Sequence, residues 1–542
     1  MKNVHYILGL VFLATAFSCA DFLDEENKTS ATAENFYVSK NGYEALVNSA
    51  YSTLREVYGG TPYIFCAGTD LFFGAHQDAP LGLTTYQSLT PGSTHVTEFF
   101  EKLYQSIQVC NTAVHYNGLT EQTITLESRL AEVKYLRANY YFLLVQSFGD
   151  VSLIENMISE PITHFERDPA ATVYQFIIDE LEEAAQLAPE TQNDFGRVTR
   201  DAVNHLLSKV YLTRAYETFA DANDFKNAAE KAELVIGHRP LASNYEAVFK
   251  YEQDNNSEVL FSIQYDESSL LNGGAHNWDF PWGPLIQSAD EGVSKKNILH
   301  PTEYLYRVYE EYDTRFTGTF WNILTTPYSN AVLLTSSSNI SYYFPRSAEE
   351  VATVDQWVAA RHRFRENAQI VPIGPHWWDG NNQSDYPPLK KFDRLQNENI
   401  HYTHDLFLSR VGETYLNAAE AYFQMGNKAL AVERVNEVRK RAAMEGHDND
   451  MLISENDLTL DFLLDERARE LAGEGHRWFD LKRTGKLMER TRMYNPDIKA
   501  LFDSGTDPFL GANGQYKILR PIPLSVIALD SGEYPQNPAY EE

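Results

Sequence analysis

The densest group of side chains able to do chemistry lies between Asp465 and Lys486, in the stretch DERARELAGEGHRWFDLKRTGK. It combines carboxylates, arginines and a histidine, which are residue types used in acid-base catalysis. A carboxylic acid that works near neutral pH needs burial or a neighbouring negative charge to raise its pKa. Here arginines are interspersed with the acids, and nearby cations lower a carboxyl pKa. We therefore predict that this stretch is architectural and not catalytic.

The same stretch predicts two helices joined by a glycine turn. Asp465 and Arg469 have the i, i+4 spacing of a helical ion pair. Residues 473–475, Gly-Glu-Gly, are expected to end the first helix, and a short second helix is expected to insert Trp478 and Phe479 into the core. The apolar face of the first helix is predicted to consist of Leu463, Leu464, Ala468, Leu471 and Ala472.

A second group of candidate residues is suited to binding sugars. A sugar ring has a weakly apolar C–H face and a rim of hydroxyls, so its site needs aromatic rings beside planar polar groups. Six of the seven tryptophans lie between residues 278 and 378. A tryptophan there can equally be a core residue, and we expect at least two of five candidate indoles to line a site. The candidate contacts in this region are Asn277, Trp278, Asp279, Trp282, Trp321, Trp377, Trp378, Asp379 and Asn381.

Helical periodicity dominates the chain before residue 240. Residues 126–150 place apolar or aromatic side chains at three- and four-residue spacing, which predicts one apolar stripe, with Gly149 at the helix end. The members of that stripe are Leu130, Val133, Leu136, Tyr140, Leu143 and Leu144. Similar patterns predict helices over residues 42–58, 97–116, 172–187, 200–216 and 225–236.

Two helix pairs match the tetratricopeptide template, in which small and aromatic residues interlock at fixed offsets. The later pair has Tyr415, Ala418, Ala419 and Tyr422 in its first helix, a turn at Gly426, and Ala431, Val435 and Val438 in its second. The earlier pair has Leu207, Ser208 and Tyr211, then Ala228, Ala232 and Val235.

The region from about 241 to 400 has a different character. The stretch EVLFSIQY, residues 258–265, is typical of a strand, and much of the remainder is rich in Asn, Ser, Pro and aromatic residues. Long irregular segments on a rigid scaffold commonly carry binding sites. We predict a mainly α protein: a tetratricopeptide-like helix-pair scaffold with a long irregular, partly β insert that carries the binding loops. We predict four regions. Residues 1–18 form a signal peptide, and residues 19–240 form an N-terminal helical region. Residues 241–400 form the irregular, aromatic-rich ligand-binding region, and residues 401–542 form a C-terminal region that contains the later tetratricopeptide-like pair.

The N-terminus predicts a lipid anchor. Lys2 and the apolar run from Ile7 to Phe17 match a secretory signal and are too short to span a bilayer. Ser18 and Cys19 follow, an arrangement that resembles the bacterial lipobox, in which the cysteine is acylated and becomes the first mature residue. The next residues, ADFLDEE, resemble the surface-export signal of Bacteroidota lipoproteins. The alternative is an ordinary cleaved signal with a chance cysteine.

Composition limits the remaining function classes. The formal charge of −31 makes nucleic acid an improbable partner, because an acidic surface repels phosphate. Cys66 and Cys110 are the only cysteines after Cys19, so we predict two buried free thiols and no thiolate metal site. The sequence contains no HExxH, GxxxxGK[ST] or GxSxG motif. Neither a metal nor a cofactor is expected.

Six stretches resemble, in the same order, the SusD/RagB family of Bacteroidota outer-membrane lipoproteins. The most specific is RARELAGEGHRWFDLKRTGKL, residues 467–487. The other five are ENFYVSKNGYEALVNSAYSTLRE, AEVKYLRANYYFLLVQSFGDVSLI, PTEYLYRVYEEYDTR, FLSRVGETYLNAAEAY and RPIPLSVIALDSGEYPQNPAY.

The resemblance implies a non-enzymatic, lipid-anchored glycan-binding protein at the cell surface. Such proteins form a hinged lid over a SusC-like TonB-dependent transporter, commonly pack on it through the tetratricopeptide face, and deliver oligosaccharides for import. By position, the loop from Gly59 to Glu98 corresponds to a segment that often contributes to family sites, which adds Asp70 and Tyr86 to the candidate contacts. The alternatives are peptide capture, as on the RagB side of the family, and a glycoside hydrolase with two carboxylates flanking the bond.

Overall fold

The structure is a computed structural model, and it describes residues 32–74, 78–250, 253–266, 276–278, 281–288, 293–325, 339–345, 363–370, 387–392 and 404–541. Nineteen α-helices are described there: α1 Ala33–Phe36, α2 Lys40–Tyr58, α3 Tyr63–Cys66, α4 Leu81–Thr85, α5 Thr94–Asn117, α6 Leu126–Phe148, α7 Ala170–Leu187, α8 Arg200–Arg214, α9 Asp224–Ile236, α10 Tyr245–Val248, α11 Glu303–Arg307, α12 Arg315–Thr319, α13 Val411–Gln424, α14 Lys428–Ala442, α15 Leu460–Leu471, α16 Arg477–Arg483, α17 Leu487–Tyr494, α18 Pro496–Asp503 and α19 Leu524–Leu529.

The described strands are short and form four small sheets. They are β1 Phe72–Gly74, β2 Val259–Ile263, β3 Trp282–Ser288, β4 Val293–Asn297, β5 Leu299–Pro301, β6 Ile323–Thr325, β7 Asn339–Tyr343, β8 Arg363–Ile370 and β9 Leu406–Arg410. Three of the sheets are antiparallel pairs, β1–β5, β2–β9 and β3–β4. In the fourth sheet β7 pairs antiparallel with β6 and parallel with β8. The mainly α fold with a partly β insert is therefore confirmed.

The long helices form one continuous stack of pairs. α2 packs on α5, α5 on α6, α6 on α7, α7 on α8, α8 on α9, α9 on α13 and α13 on α14. Each helix thus contacts mainly its neighbours, as in other helical repeat proteins. The chain between α9 and α13 leaves the stack and returns to it, so the region predicted as an insert is one in the structure. Its exact limits at 241 and 400 stay a prediction. Within the described part, no helix is long and apolar enough to cross a membrane.

The predicted helices are confirmed to within a few residues at each end. Both tetratricopeptide-like pairs are also confirmed, as α8–α9 and α13–α14, and their small residues are buried at the contact between helices. Gly426 makes the turn of the later pair with φ +79°, a conformation that L side chains adopt only with strain. The two free cysteines, Cys66 and Cys110, are buried as predicted.

Helix α6 is more deeply buried than its predicted single stripe. Almost every side chain from Ala131 to Phe148 is inaccessible, because α2, α5 and α7 all pack against this helix. Its charged residues are paired inside: Lys134 and Arg137 each lie 2.6 Å from a carboxylate oxygen of Glu180 on α7. A helix enclosed on several sides has no solvent-facing stripe to reveal its orientation in the sequence.

The stretch that opened the sequence analysis forms α15, a glycine turn and α16, as predicted. Its apolar face is buried, and Trp478 is 1% exposed. Glu470 on α15 is fully buried and receives three guanidinium groups: Arg410 at 2.6 Å, Arg315 at 3.2 Å and Arg441. These arginines come from β9, α12 and α14 respectively, so one carboxylate joins the insert, the second tetratricopeptide-like pair and the C-terminal helices.

Arginines lower the pKa values of Glu466 and Glu470 in this stretch, as the interspersed arginines predict. Burial alone would raise the pKa of Glu466, but the guanidinium groups of Arg315, Arg439 and Arg469 outweigh it and lower that pKa to about 2. The pKa of Glu470 is also lowered, against the effect of burial, mainly by Arg441 and Arg410. Carboxylates held in this state cannot serve as proton donors near neutral pH.

The predicted Asp465–Arg469 pair does not form. Asp465 instead lies 2.5 Å from a guanidinium nitrogen of Arg490 on α17, while Arg469 contacts Glu466 at 2.8 Å and donates to the carbonyl of Val308. The i, i+4 rule describes side chains on an exposed helix surface. On this buried helix Asp465 pairs with a neighbouring element, and Arg469 pairs with Glu466 at i−3.

Residues of the insert pack directly against the glycine turn after α15. Gly473 and Gly475 have φ of +80° and +82°. A Cβ built on Gly473 would lie 2.6 Å from Cδ2 of Leu389, and one on Gly475 would lie 2.9 Å from Cη2 of Trp278. Only glycine allows both this backbone conformation and this close approach.

Replacing Glu470 with alanine is expected to destabilise the protein strongly, because it leaves Arg315, Arg410 and Arg441 buried without this shared carboxylate. We expect a loss of about 3–5 kcal/mol in unfolding free energy, measured by urea denaturation followed by circular dichroism. The control is Glu437→Ala, which removes a surface pair with Lys440 and should cost no more than about 1 kcal/mol. Equal effects of the two substitutions would contradict a central role for Glu470.

Replacing Gly475 with alanine is expected to disturb the packing of Trp278 against the glycine turn. Gly514 has the same φ of +82° with no atom within 4 Å of its hypothetical Cβ, so Gly514→Ala isolates the backbone strain. Both variants should lose roughly 1–2 kcal/mol from that strain, and Gly475→Ala should lose a further 1–3 kcal/mol or so from overpacking. Urea unfolding monitored by tryptophan fluorescence measures the difference; matching curves would show that the Trp278 contact contributes nothing.

Candidate functional site

The predicted ligand residues fall into two groups. Five lie outside the described residues: Asp279, Trp377, Trp378, Asp379 and Asn381. The other six lie within them: Asp70, Tyr86, Asn277, Trp278, Trp282 and Trp321. Cys19, the predicted lipidation residue, also lies outside the described part. Asn277, Trp278, Trp282 and Trp321 belong to the insert, whereas Asp70 and Tyr86 belong to the early loop.

Trp278 is an anchor of the insert. It is 2% exposed, and its indole N–H donates a hydrogen bond of 2.6 Å to the carbonyl of Tyr58 at the end of α2. Its ring lies 6.0 Å from that of Phe65 and 5.4 Å, edge to face, from that of Phe392. The preceding residue, Asn277, is exposed although its backbone N–H donates to Gly59. The amide side chain is therefore accessible to a ligand while the indole beside it is not.

Trp282 and Trp321 are buried in the same manner, at 3% and 5% exposure. The ring of Trp282 lies 4.4 Å from that of Phe72 on β1. The backbone N–H of Trp321 donates to Pro388, and Nζ of Lys390 lies 5.2 Å from the centre of its ring. The expectation that these rings form an open stacking platform is not supported by this geometry. An insert with little regular structure needs large apolar side chains to fix it to the scaffold, and the indoles supply them.

Asp70 is not placed to contact a ligand, which corrects the prediction for this residue. It is fully buried and accepts hydrogen bonds of 2.6–2.9 Å from Arg477 on α16 and Arg490 on α17. Burial alone would raise its pKa, but these two guanidinium groups lower it. Asp70 therefore ties the early loop to the C-terminal helices.

The prediction that Tyr86 contacts a ligand is also corrected, because this residue is buried as well. It is fully buried, its hydroxyl donates to the carbonyl of Gly68 at 2.7 Å, and it accepts from the indole N–H of Trp478 at 3.1 Å. Burial raises the pKa of Tyr86 to about 12, so the phenol stays neutral. With φ +60° it is also the only non-glycine residue with positive φ in the described part of the chain. Such strain persists only where the surroundings enforce it.

The candidate site is the surface carried by these anchors. Trp278 packs against Phe392, and the Trp282 ring of β3 packs against Phe72 of β1, so these contacts hold the insert on the scaffold beside the exposed Asn277. The undescribed candidates Asp279, Trp377, Trp378, Asp379 and Asn381 belong to the same insert.

Sequence reasoning missed Asp497 on α18. One of its carboxylate oxygens accepts the backbone N–H of Gly74 at 3.0 Å, at the end of β1. Burial raises the pKa of Asp497 to about 6, and the hydrogen bond from Gly74 only partly offsets this. The position follows Asn495-Pro496, a typical helix start, and that pattern indicates nothing about a distant partner.

Other features of the described residues do not add to this site. No group of three or more His, Cys, Asp or Glu in that part of the chain is arranged to hold a metal ion. A separate groove of about 400 Å³ lies between α5, residues 152–165 and α19. Its lining is mainly aliphatic and aromatic and includes none of the predicted ligand residues.

Several solved structures share this fold. A laminarin binding SusD-like protein superposes with a TM-score of 0.65 at 22% identity, covering 93% of this chain and 100% of the other. Surface glycan-binding protein A from Bacteroides thetaiotaomicron gives a TM-score of 0.66 at 20% identity, with 93% and 100% covered.

Sequence relatives extend over almost the whole chain. SusD-like protein P2 from Formosa agariphila is 25% identical over 98% of this chain and 99% of its own length. The starch-binding protein SusD from Bacteroides thetaiotaomicron is 25% identical over 83% of this chain and 80% of its own. Residues 21–212 match a family described as starch-binding associating with outer membrane, and residues 257–540, more than half of the chain, match the SusD family. The chain therefore belongs to the SusD family.

Proposed function

We propose that this protein binds glycans at the bacterial cell surface and passes them unchanged to a TonB-dependent transporter. The observation that carries the proposal is the match of residues 257–540 to the SusD family. Relatives and neighbours of the same architecture are named for binding starch, laminarin and surface glycans. These names favour a sugar over a peptide, and peptide capture remains an outcome of the test below.

The proposed ligand contacts are the candidate residues of the insert other than its three buried tryptophans, Trp278, Trp282 and Trp321. Asn277 supplies an exposed amide next to the buried Trp278. Trp377 and Trp378 are the proposed stacking rings, with Asp379, Asn381 and Asp279 as hydrogen-bonding partners for hydroxyls. Burial of the other three indoles supports this division, because a rigid base lowers the entropy lost when a ligand is bound.

Binding without catalysis is the favoured activity. Glu466 and Glu470, two buried acids of the stretch between Asp465 and Lys486, have lowered pKa values and are enclosed by arginines. A glycoside hydrolase needs one carboxyl group with a raised pKa and a second carboxylate across the scissile bond. Asp497 has a raised pKa, but one of its carboxylate oxygens already accepts a hydrogen bond from the backbone N–H of Gly74. Release of reducing ends from bound oligosaccharides would overturn the non-enzymatic proposal.

The proposed location is the outer membrane, with a lipid on Cys19 as the anchor. The family description of residues 21–212 as associating with outer membrane supports this placement. A flexible tether would hold the protein close to its transporter and raise their mutual effective concentration. The helix-pair stack is the proposed transporter-facing part, and the insert is the proposed ligand-facing part.

We expect the protein without residues 1–19 to bind at least one polysaccharide on a glycan array and no peptide of a matched peptide array. Trp377→Ala combined with Trp378→Ala should weaken that binding at least tenfold, about 1.4 kcal/mol, through loss of ring stacking. Isothermal titration calorimetry measures the change. The matched control is Trp357→Ala, a tryptophan of the same region outside the proposed contacts. Tight peptide binding without any glycan response would reject the sugar proposal.

Replacing Cys19 with serine is expected to abolish acylation and to release the protein from membranes, since no residue other than the lipidated cysteine is proposed as an anchor. Fractionation of cells and mass spectrometry of the mature N-terminus test this. Cys66→Ala removes a thiol that is buried inside the fold and should leave membrane association unchanged. Continued membrane association of the Cys19→Ser protein, with an unmodified N-terminus, would contradict lipid anchoring.

A further inference from the structure

A concavity of about 570 Å³ lies outside the insert, between α17, α18 and the loop after them. Its lining mixes ring and thioether surface with charged groups, the combination that recognises a sugar ring and its hydroxyls. The residues that matter are Glu489, Arg492, Met493, Phe502, Asp507 and Tyr516. None of them belongs to the predicted ligand contacts.

Arg492 is held in place without an acidic partner. Its guanidinium carbon lies 4.5 Å from the centre of the Phe502 ring, so α17 and α18 meet through a cation–π contact. No residue in the described part of the chain accepts a hydrogen bond from its side chain. A planar guanidinium oriented by a ring presents several donors in fixed directions, which lowers the entropy cost of binding neighbouring hydroxyls.

The apolar part of the concavity is accessible. Tyr516 is 51% exposed and Met493 is 56% exposed. The backbone of Tyr516 is fixed by a β-bridge with Leu510, so the ring is carried by an ordered turn. Large exposed apolar side chains grouped in a hollow are uncommon on a surface that binds nothing.

The charges of the concavity balance. Glu489 pairs with Lys486 at 2.9 Å, and Asp507 uses one oxygen to accept the N–H of Phe509. Arg492 can donate to a hydroxyl, and the free oxygen of Asp507 can accept from another. A ligand with hydroxyls and no net charge matches this pair, whereas a uronate or sulfate would meet the Asp507 carboxylate.

We propose that this concavity is a second contact site for a neutral glycan chain. The proposal rests on the glycan-binding function above and adds a ligand class and a location. Phe502 lies on the same helix as Asp497, about 8 Å away along the helix axis, and Asp497 holds the end of β1 in the candidate site. The proposal predicts that a long chain contacts the insert and this concavity together, and that a disaccharide contacts only one of them.

The test uses the protein without residues 1–19 and a panel of soluble polysaccharides that contains starch, laminarin and polygalacturonate. Affinity is measured by calorimetry for the best-bound neutral member, both as long chains and as its disaccharide. Arg492→Ala and Tyr516→Ala should each weaken binding of the long chains about 3- to 10-fold and leave disaccharide binding unchanged. Matched controls are Arg200→Ala, a partly exposed arginine paired with Glu190, and Phe36→Ala, an exposed ring near the start of the described chain.

The outcomes separate the two proposals. Long-chain affinity equal to wild type in both variants overturns the second site and leaves the glycan-binding function intact. A panel in which the wild-type protein binds no polysaccharide overturns both. Binding of polygalacturonate that depends on Arg492, without dependence for a neutral chain, overturns the assignment of ligand class. Unchanged thermal unfolding of the variants shows that a weaker affinity is not caused by misfolding.

Discussion

The structure depends on one buried carboxylate more than on any other group. Glu470 receives guanidinium groups from β9, α12 and α14, three elements that are far apart in the chain. Ion pairs out of water contribute to stability only when every partner is satisfied, so this arrangement specifies a unique packing more than it adds free energy. Glu466, one turn earlier on α15, repeats the arrangement with Arg315 and Arg439, so two adjacent carboxylates join the insert, the second tetratricopeptide-like pair and the C-terminal helices. The sequence stretch with the most catalytic appearance is thus the one that fixes the architecture.

Local periodicity made the helices predictable. The partners of individual side chains were harder to predict, because many of them come from distant parts of the chain. The ends of α6 and the pair α8–α9 follow from apolar spacing and from glycine positions. The partners of Asp465 and Arg469 could not be predicted in the same way, because Arg490 and Val308 reach them through the fold. No local pattern separates an indole that anchors a loop from one that meets a ligand.

Of the six candidate contacts that the structure describes, Asn277 is exposed and the other five are buried. The insert was identified from its composition, and Asn277 is exposed there as expected. Trp278 is buried because it donates to Tyr58, a residue more than two hundred positions earlier in the chain. The concavity at Arg492 and Tyr516 gave no signal in the sequence, since a single exposed tyrosine and a single arginine are ordinary surface residues until the fold brings them together.

The placement of the insert has an evolutionary consequence. The chain leaves the stack after α9 and returns at β9, and β2 pairs with β9 at that point, so both ends of the excursion are fixed together. The entropy cost of closing a loop rises only with the logarithm of its length. Stretches between β2 and β9 other than the buried anchors Trp278, Trp282, Trp321 and Arg315 can therefore be lengthened, shortened or exchanged at small thermodynamic cost. Descendants of one ancestral framework can diversify in these stretches while the helices beneath stay the same.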